Sequence, residues 1–262
     1  MEVVFFNLES LRVGDYKTYE TLHDTILYND QKPKDLDYEL INIGNSEELF
    51  TCLSQIEEKV NNELYPIIHF DLHGSPEGIE LRSGELVNWD SIIKSLTDIN
   101  IQCGLNLFLS VGACFGISAV QMVDARKRAP FAILIAPNGE VYPDNLNEFY
   151  KGFFEAVFQN NIKNFFDNSP LVPAVFSIVN VETLYHKIFN LKDQKKSGIL
   201  YKYFDLWKEK NEDLIKRIYD EKQIHELFEL HIYIQNEKSR KELKDHFFMI
   251  DLYPENKNIY TK

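Results

Sequence analysis

Up to Asn180, short apolar runs rich in β-branched and aromatic residues alternate with longer segments whose apolar positions recur at helical spacing. The runs predict strands at Glu2–Phe6, Tyr38–Ile43, Pro66–Leu72, Leu105–Ser110, Phe131–Ala136 and Ala174–Asn180. Helices are expected at roughly Ser46–Leu64, Asp90–Thr97, Phe115–Arg128 and Asn145–Asn161. The first of these opens on Asn45 and Ser46 with Glu47 and Glu48 in its first turn, where carboxylates favour the helix dipole. Strands as continuously apolar as NLFLS and FAILIA suit a sheet covered on both faces. The alternation therefore predicts an α/β fold, a sandwich of helices around a mostly parallel sheet.

Between the third strand and its helix, the stretch GIELRSGELVNW predicts a small hairpin turning at Ser83-Gly84, outside the main sheet. After Asn190 the texture changes. A polar joint, LKDQKKSG, leads into two charged helical stretches, roughly Ile199–Glu221 and Gln223–Asp245. Residues 1–190 are thus expected to form the main domain, and 191–262 a charged helical extension or insertion. Its last segment, 246–252, reads as a strand that returns to the edge of the main sheet.

Composition narrows the function classes. Among 262 residues the acids outnumber Lys and Arg 41 to 28, giving a net charge of −13. Such a field repels phosphate backbones, and the late lysines are interspersed with acids, so no nucleic-acid partner is expected. The longest apolar runs are strand-sized and the N-terminus lacks a signal-peptide pattern, so no membrane partner is expected either. Three cysteines without close pair spacing suggest no disulfide framework and no CxxC metal site, and fit a reducing cytoplasm.

Two motifs carry chemistry. In Pro66–Gly74 (PIIHFDLHG), strand alternation places His69, Asp71 and His73 on one face. His73 falls at the carboxyl end, where Gly74, Ser75 and Pro76 end the strand. Sites of open α/β sheets form at such ends, and Gly74, without a Cβ, lets its backbone approach a ligand. In Leu107–Gly116 (LFLSVGACFG), an apolar strand runs through small residues to Cys114 and a helix pattern. A helix N-terminus or a neighbouring imidazolium favours the thiolate, and amides at the same turn can bind an oxyanion. Cys52 and Cys103 read instead as small core residues.

These motifs resemble those of the CHAT peptidases, in the caspase, metacaspase and separase clan. The resemblance runs over residues 36–180, through HFDLHGSPEGIELRSGELVNWDSI, LFLSVGAC and FAILIAPNGEVYPDNLNEFYKGFFEAVFQNN. It implies a caspase-like three-layer α/β/α sandwich with a helical C-terminal region, and a cysteine endopeptidase of a stress or defence circuit. Cys114 would be the nucleophile, His73 the general acid/base, the N–H groups of Gly74 and Cys114 the oxyanion hole, and His69 structural. The chain departs from the pattern at Val111-Gly112, which intervenes before Ala113-Cys114, and at Phe115-Gly116 after the cysteine. The implied partners are a protein or peptide substrate and an activating partner or ligand; no cofactor or metal is called for. Substrate-pocket candidates are Asp71, Glu80, Glu140 and Asp144, with Arg82 and Arg126 the nearby bases. The acidic excess favours a basic P1 residue, which would make Lys195–Gly198 a candidate self-cleavage site.

Two other readings stay open. Gly112–Gly116 also fits G-x-C-x-G, the nucleophile elbow of class I glutaminases and related α/β hydrolases. Those enzymes place histidine, commonly followed two residues later by glutamate, after the cysteine, whereas His186, His225, His231 and His246 lack that pattern. A catalytically silent, caspase-like binding module is the second. The HELFELH stretch at 225–231 does not reproduce a zinc-protease motif, since Glu229 stands where the second histidine belongs.

Overall fold

The strand nearest the N-terminus, β1 (Glu2–Ser10), is flanked on both sides by parallel partners, β2 (Leu36–Asn42) and β3 (Leu64–Ser75). The computed structural model describes residues 2–34, 36–61, 63–172, 174–189 and 237–260. The chain divides into two compact units, Met1–Val123 with Ala129–Val181, and Asp124–Arg128 with Glu182–Lys262.

The first unit is an α/β fold whose central sheet runs β2-β1-β3-β6-β7-β8. Here β6 is Phe108–Gly112, β7 Ile133–Pro137 and β8 Phe176–Asn180. All neighbours are parallel except β7 and β8, which run antiparallel. All six expected strands form, with ends shifted by a few residues. The expected hairpin also forms, from β4 (Gly78–Glu80) and β5 (Leu86–Asn88), turning through Gly84 at φ +88°. It does not stand apart: β4 pairs antiparallel with residues 73–75, so β3 continues past the parallel sheet instead of breaking at Gly74.

Strand alternation divides the core. Phe5 faces α1 (Thr18–Leu27) and α4 (Pro143–Phe158), in an aromatic cluster with Leu22, Ile26, Phe149, Phe154 and Phe176. Phe149 stacks on Phe176 with ring centroids 3.8 Å apart. Phe6 faces the other way, where Lys59 of α2 (Ser46–Lys59) lies over its ring. There α2 packs with α3 (Trp89–Gln102), burying Leu53, Ile56, Ile92 and Leu96. Asn45 caps α2 by accepting from Glu48 N–H, as the sequence signal predicts. A short α5 (Ile162–Asn168) follows α4.

One expected helix does not form. Residues 115–128 were expected to be helical, but only a 3₁₀ segment, Gly116–Met122, follows Cys114. Phe115 is left-handed at φ 57°, and Gly116 lies so close to Val111 and Ala136 that a Cβ there would sit 2.7 Å from Val111 Cγ1. The tight approach to the sheet replaces a regular first turn.

In the second unit, α6 (Val181–Phe189) contributes Tyr185, whose ring packs on Phe247 and Phe248. Two further helices are α7 (Glu237–Phe247) and α8 (Lys257–Tyr260). The edge strand expected over 246–252 is absent. Instead α7 ends in a left-handed cap, with Met249 at φ 55°, its N–H bonded to His246 O and Ile250 N–H bonded to Asp245 O. Phe247, Phe248 and Met249 are buried by that turn rather than by strand pairing. The helix expected at Ile199–Glu221, most of the one at Gln223–Asp245, and Lys195–Gly198 lie outside the described residues.

Candidate active site

Sheet order places the site. From β1 the chain crosses to β2 on one side, then returns to β3 on the other, so the order reverses between β1 and β3. In open α/β sheets, the crevice outside the carboxyl ends of the strands at such a point is where ligands bind. Three segments meet there: the loop after β1, the end of β3, and the turn after β6.

β3 presents its histidine just beyond the parallel sheet. Its parallel pairing ends at Leu72 with β1 and at Asp71 with β6. His73 then pairs with Glu80 in the hairpin and is exposed to solvent. Its Nε2 lies 2.8 Å from Asp15 Oδ2, in the loop between β1 and α1. Burial pushes the Asp15 carboxyl up, but the Arg12 amide, the His73 hydrogen bond and both positive charges outweigh it, holding it below its usual value. Asp15 is therefore an ionised acceptor at neutral pH, and His73 Nε2 must be the donor. In the neutral ring this leaves Nδ1 as the basic nitrogen.

The turn after β6 presents Cys114. Val111 and Gly112, where the chain departs from the CHAT pattern, are the last residues of β6. Gly116 N–H returns to Ala113 O, with Cys114 and the left-handed Phe115 at the corners. Phe115 N–H is taken by Gly139 O at 2.9 Å. The amides of Phe115 and Gly116 are thus engaged within the turn and its neighbour, and that of Cys114 is the candidate oxyanion donor. The thiol is partly exposed, and its sulfur lies 3.5 Å from Val141 N and 3.8 Å from Val141 O. Cys52 and Cys103 are buried, and burial pushes both thiols up to about 11.

Gly74 joins the two motifs. A Cβ built on it would lie 2.4 Å from Cys114 O and 2.9 Å from Ala113 Cβ. No other residue fits there unless β3 or the cysteine turn moves. No protein-family model matches the sequence, and no curated protein matches it at a significant level.

Beneath the site, the shared face of β3 and β6 is polar. His69 Nδ1 lies 2.7 Å from Ser110 Oγ, and burial pulls its pKa down to about 3, so it stays neutral. Tyr150 stands edge-on to it and donates its hydroxyl to Val111 O. Asp71 is 1% exposed; Oδ1 accepts from the Thr18 hydroxyl, while Oδ2 has no partner among the described residues. A cavity of about 10 Å³, the size of one water, is lined by Asp71, Asn147, Thr18, His69, Gly112 and Tyr150. Asn147 Oδ1 is also buried, without a partner among the described residues.

Burial pushes Asp71 up to about 7, with Glu9 adding to the rise, while the Thr18 hydroxyl and His73 only partly oppose it. The folded chain therefore holds this proton more tightly than the unfolded one, and stability falls as pH rises between about 4 and 7. Asp71→Asn is expected to remove that contribution, so its urea midpoint should gain on the wild type's between pH 5 and pH 8. A constant difference across that range would contradict the assignment.

The four pocket candidates are scattered. Asp71 lies under the site, and Glu80 faces His73 across the ladder but is paired with Arg12. Glu140 and Asp144 are exposed on either side of Val141, which touches the Cys114 sulfur. Arg82 lies near Gly44, and Arg126 is paired with Asp124 in the second unit. Asp15, Thr18 and Asn147 escaped the sequence reading. The available signal was Gly14-Asp15 directly after β1, whose end borders the point where strand order reverses. Among the described residues no group of His, Cys, Asp and Glu is arranged to hold a metal, and no helix is long and apolar enough to cross a membrane.

Proposed function

We propose that this chain is a caspase-like cysteine peptidase of the CHAT type, with Cys114 as nucleophile, His73 as acid/base and Asp15 as the partner that orients the histidine. The observation carrying this reading is the packing of Gly74 on the Cys114 carbonyl, which sets the histidine strand directly against the cysteine turn.

In the proposed reaction the Cys114 thiol gives its proton to His73 Nδ1 and the sulfur attacks the scissile carbonyl carbon. The oxyanion is held by the Cys114 and Gly74 amides. His73 returns the proton to the leaving amine as the C–N bond breaks, giving a thioester and a free amine. Water, deprotonated by His73, then hydrolyses the thioester and restores the thiol. An imidazolium formed on the way is stabilised by Asp15. Exposed Glu140 and Asp144, on either side of Val141 at the Cys114 sulfur, favour a substrate with a basic P1 residue. The glutaminase elbow is disfavoured because it requires a strand-to-helix turn, and a 3₁₀ segment follows Cys114.

The test is the rate of Cys114 alkylation by iodoacetamide, followed by mass spectrometry in wild type and His73→Ala. Comparison with Cys52 or Cys103 decides nothing, since both are buried. Slower alkylation at neutral pH in His73→Ala supports the dyad. Equal rates in both proteins would exclude it and favour a silent binding module.

A further inference from the structure

We propose that Thr18 and Asp71 form a positioning pair that holds Asp15 against His73, so that strand β3 fixes the orientation of its own histidine through the loop after β1. For its catalytic consequence the proposal rests on the peptidase reading; for its geometry it does not.

The Leu11–Lys17 loop has little apolar anchorage. Val13 and Tyr16 are exposed, and Gly14 is left-handed at φ +99°. Polar ties hold it instead. At its start, Leu11 N–H donates to Glu9 Oε1 at 2.8 Å. Within it, Arg12 N–H donates to Asp15 Oδ2 at 2.7 Å, and Asp15 N–H to Arg12 O at 3.1 Å. The Arg12–Glu80 ion pair is exposed and contributes little.

At its far end the loop enters α1, whose N-cap residue Lys17 makes no side-chain capping bond. The first residue of that helix, Thr18, instead donates its hydroxyl inward to Asp71 Oδ1, and both residues are buried. Among the loop's ties this one is the best shielded from water, where a hydrogen bond to a carboxyl counts most.

The result is a closed ring. Asp71 and His73 lie two residues apart on one face of β3; Asp15 and Thr18 lie three apart in the loop and helix start. Two hydrogen bonds, His73 to Asp15 and Thr18 to Asp71, join the segments. With spans this short, either bond leaves little conformational freedom to be lost in forming the other, so the two are coupled. Asp71 is thus a positioning residue acting through Thr18 and Asp15; none of the three needs to touch substrate.

The experiment uses the full chain in wild type, Asp15→Asn, Thr18→Val, Thr18→Ser and Thr18→Val/Asp15→Asn. Histidine ring ¹⁵N NMR reports His73, and iodoacetamide reports Cys114. Thr18→Val, which keeps the branched shape but not the hydroxyl, should shift the His73 ring resonances in the same direction as Asp15→Asn. It should slow Cys114 alkylation about tenfold, part of what a placed general base contributes. Thr18→Ser should restore both. In the Asp15→Asn background, Thr18→Val should add nothing, the signature of residues acting as one unit. Thr18→Ala is measured alongside, so that misfolding of one variant does not remove the test. Wild-type His73 resonances in folded Thr18→Val, or full additivity with Asp15→Asn, would overturn the proposal. If the resonances move but alkylation is indifferent to His73→Ala, the positioning pair stands and the peptidase reading falls.

Discussion

On the proposed peptidase reading, replacing Cys114 by alanine is expected to abolish peptide hydrolysis while leaving the fold intact. The side chain sits in a partly exposed turn, and its sulfur's polar contacts among the described residues are two weak ones to Val141, so little core packing depends on it. Unfolding midpoints should therefore change little, by about 0.5 kcal/mol or less, as for surface sites. Activity should fall by at least about 10³-fold, because the alanine methyl cannot act as a nucleophile and residues of a catalytic unit fail together. The measurement is mass spectrometry of a peptide library incubated with wild type and Cys114→Ala, with its unfolding curve as control. Cleavage by the variant at the wild-type rate would refute the role of Cys114, and the residues preceding the cleaved bonds would report whether P1 is basic.

Gly74→Ala carries the second large effect, for a different reason. The added methyl would lie 2.4 Å from Cys114 O and 2.9 Å from Ala113 Cβ, and the first of these is backbone that cannot rotate away. Either β3 or the cysteine turn must shift by a large part of an ångström. Misplacement on the order of 1 Å costs about 10²-fold in rate where reaction depends on orientation. The expected outcome is a folded protein whose Cys114 alkylation and peptide cleavage both fall by about that factor. Gly84→Ala is the control, since a Cβ there meets nothing within 4 Å, although φ +88° still strains it. Wild-type rates in Gly74→Ala would mean that this contact does not govern the cysteine's position.

The central strands β1, β3, β6 and β7 were legible because each carries a concentrated apolar run, and a strand buried on both faces declares itself by composition; the edge strands β2 and β8, half-exposed, were marked by β-branched and aromatic residues between polar ones. The closeness of the Gly74 and Cys114 segments was legible because strand ends are marked by small residues, and both motifs close on glycine. The hydrogen-bond partner of His73 was not. Asp15 lies in a loop whose place depends on which strand β1 adjoins, and parallel pairing cannot be read from one strand. The helix expected after Cys114 failed for a related reason. Its apolar spacing was adequate, but Gly116 is drawn onto Val111 and Ala136, and that closeness belongs to tertiary packing. At 246–252 the aromatic run resembled a strand, yet the same buried rings serve a helix cap, since burial alone does not distinguish the two.

The double pairing of β3 bears on how this gene can change. One strand is bound in parallel to β1 and β6 and, over its last three residues, in antiparallel to β4. His69, Asp71 and His73 all depend on that single register, because a slip of one residue exchanges the two faces. A codon lost or gained between Pro66 and Ser75 would therefore cost sheet, hairpin and histidine in one step, leaving no partly working intermediate. The tip at Ser83-Gly84, beyond the ladder, has no such constraint, so length variation in descendants of this sequence should collect there and spare the strand.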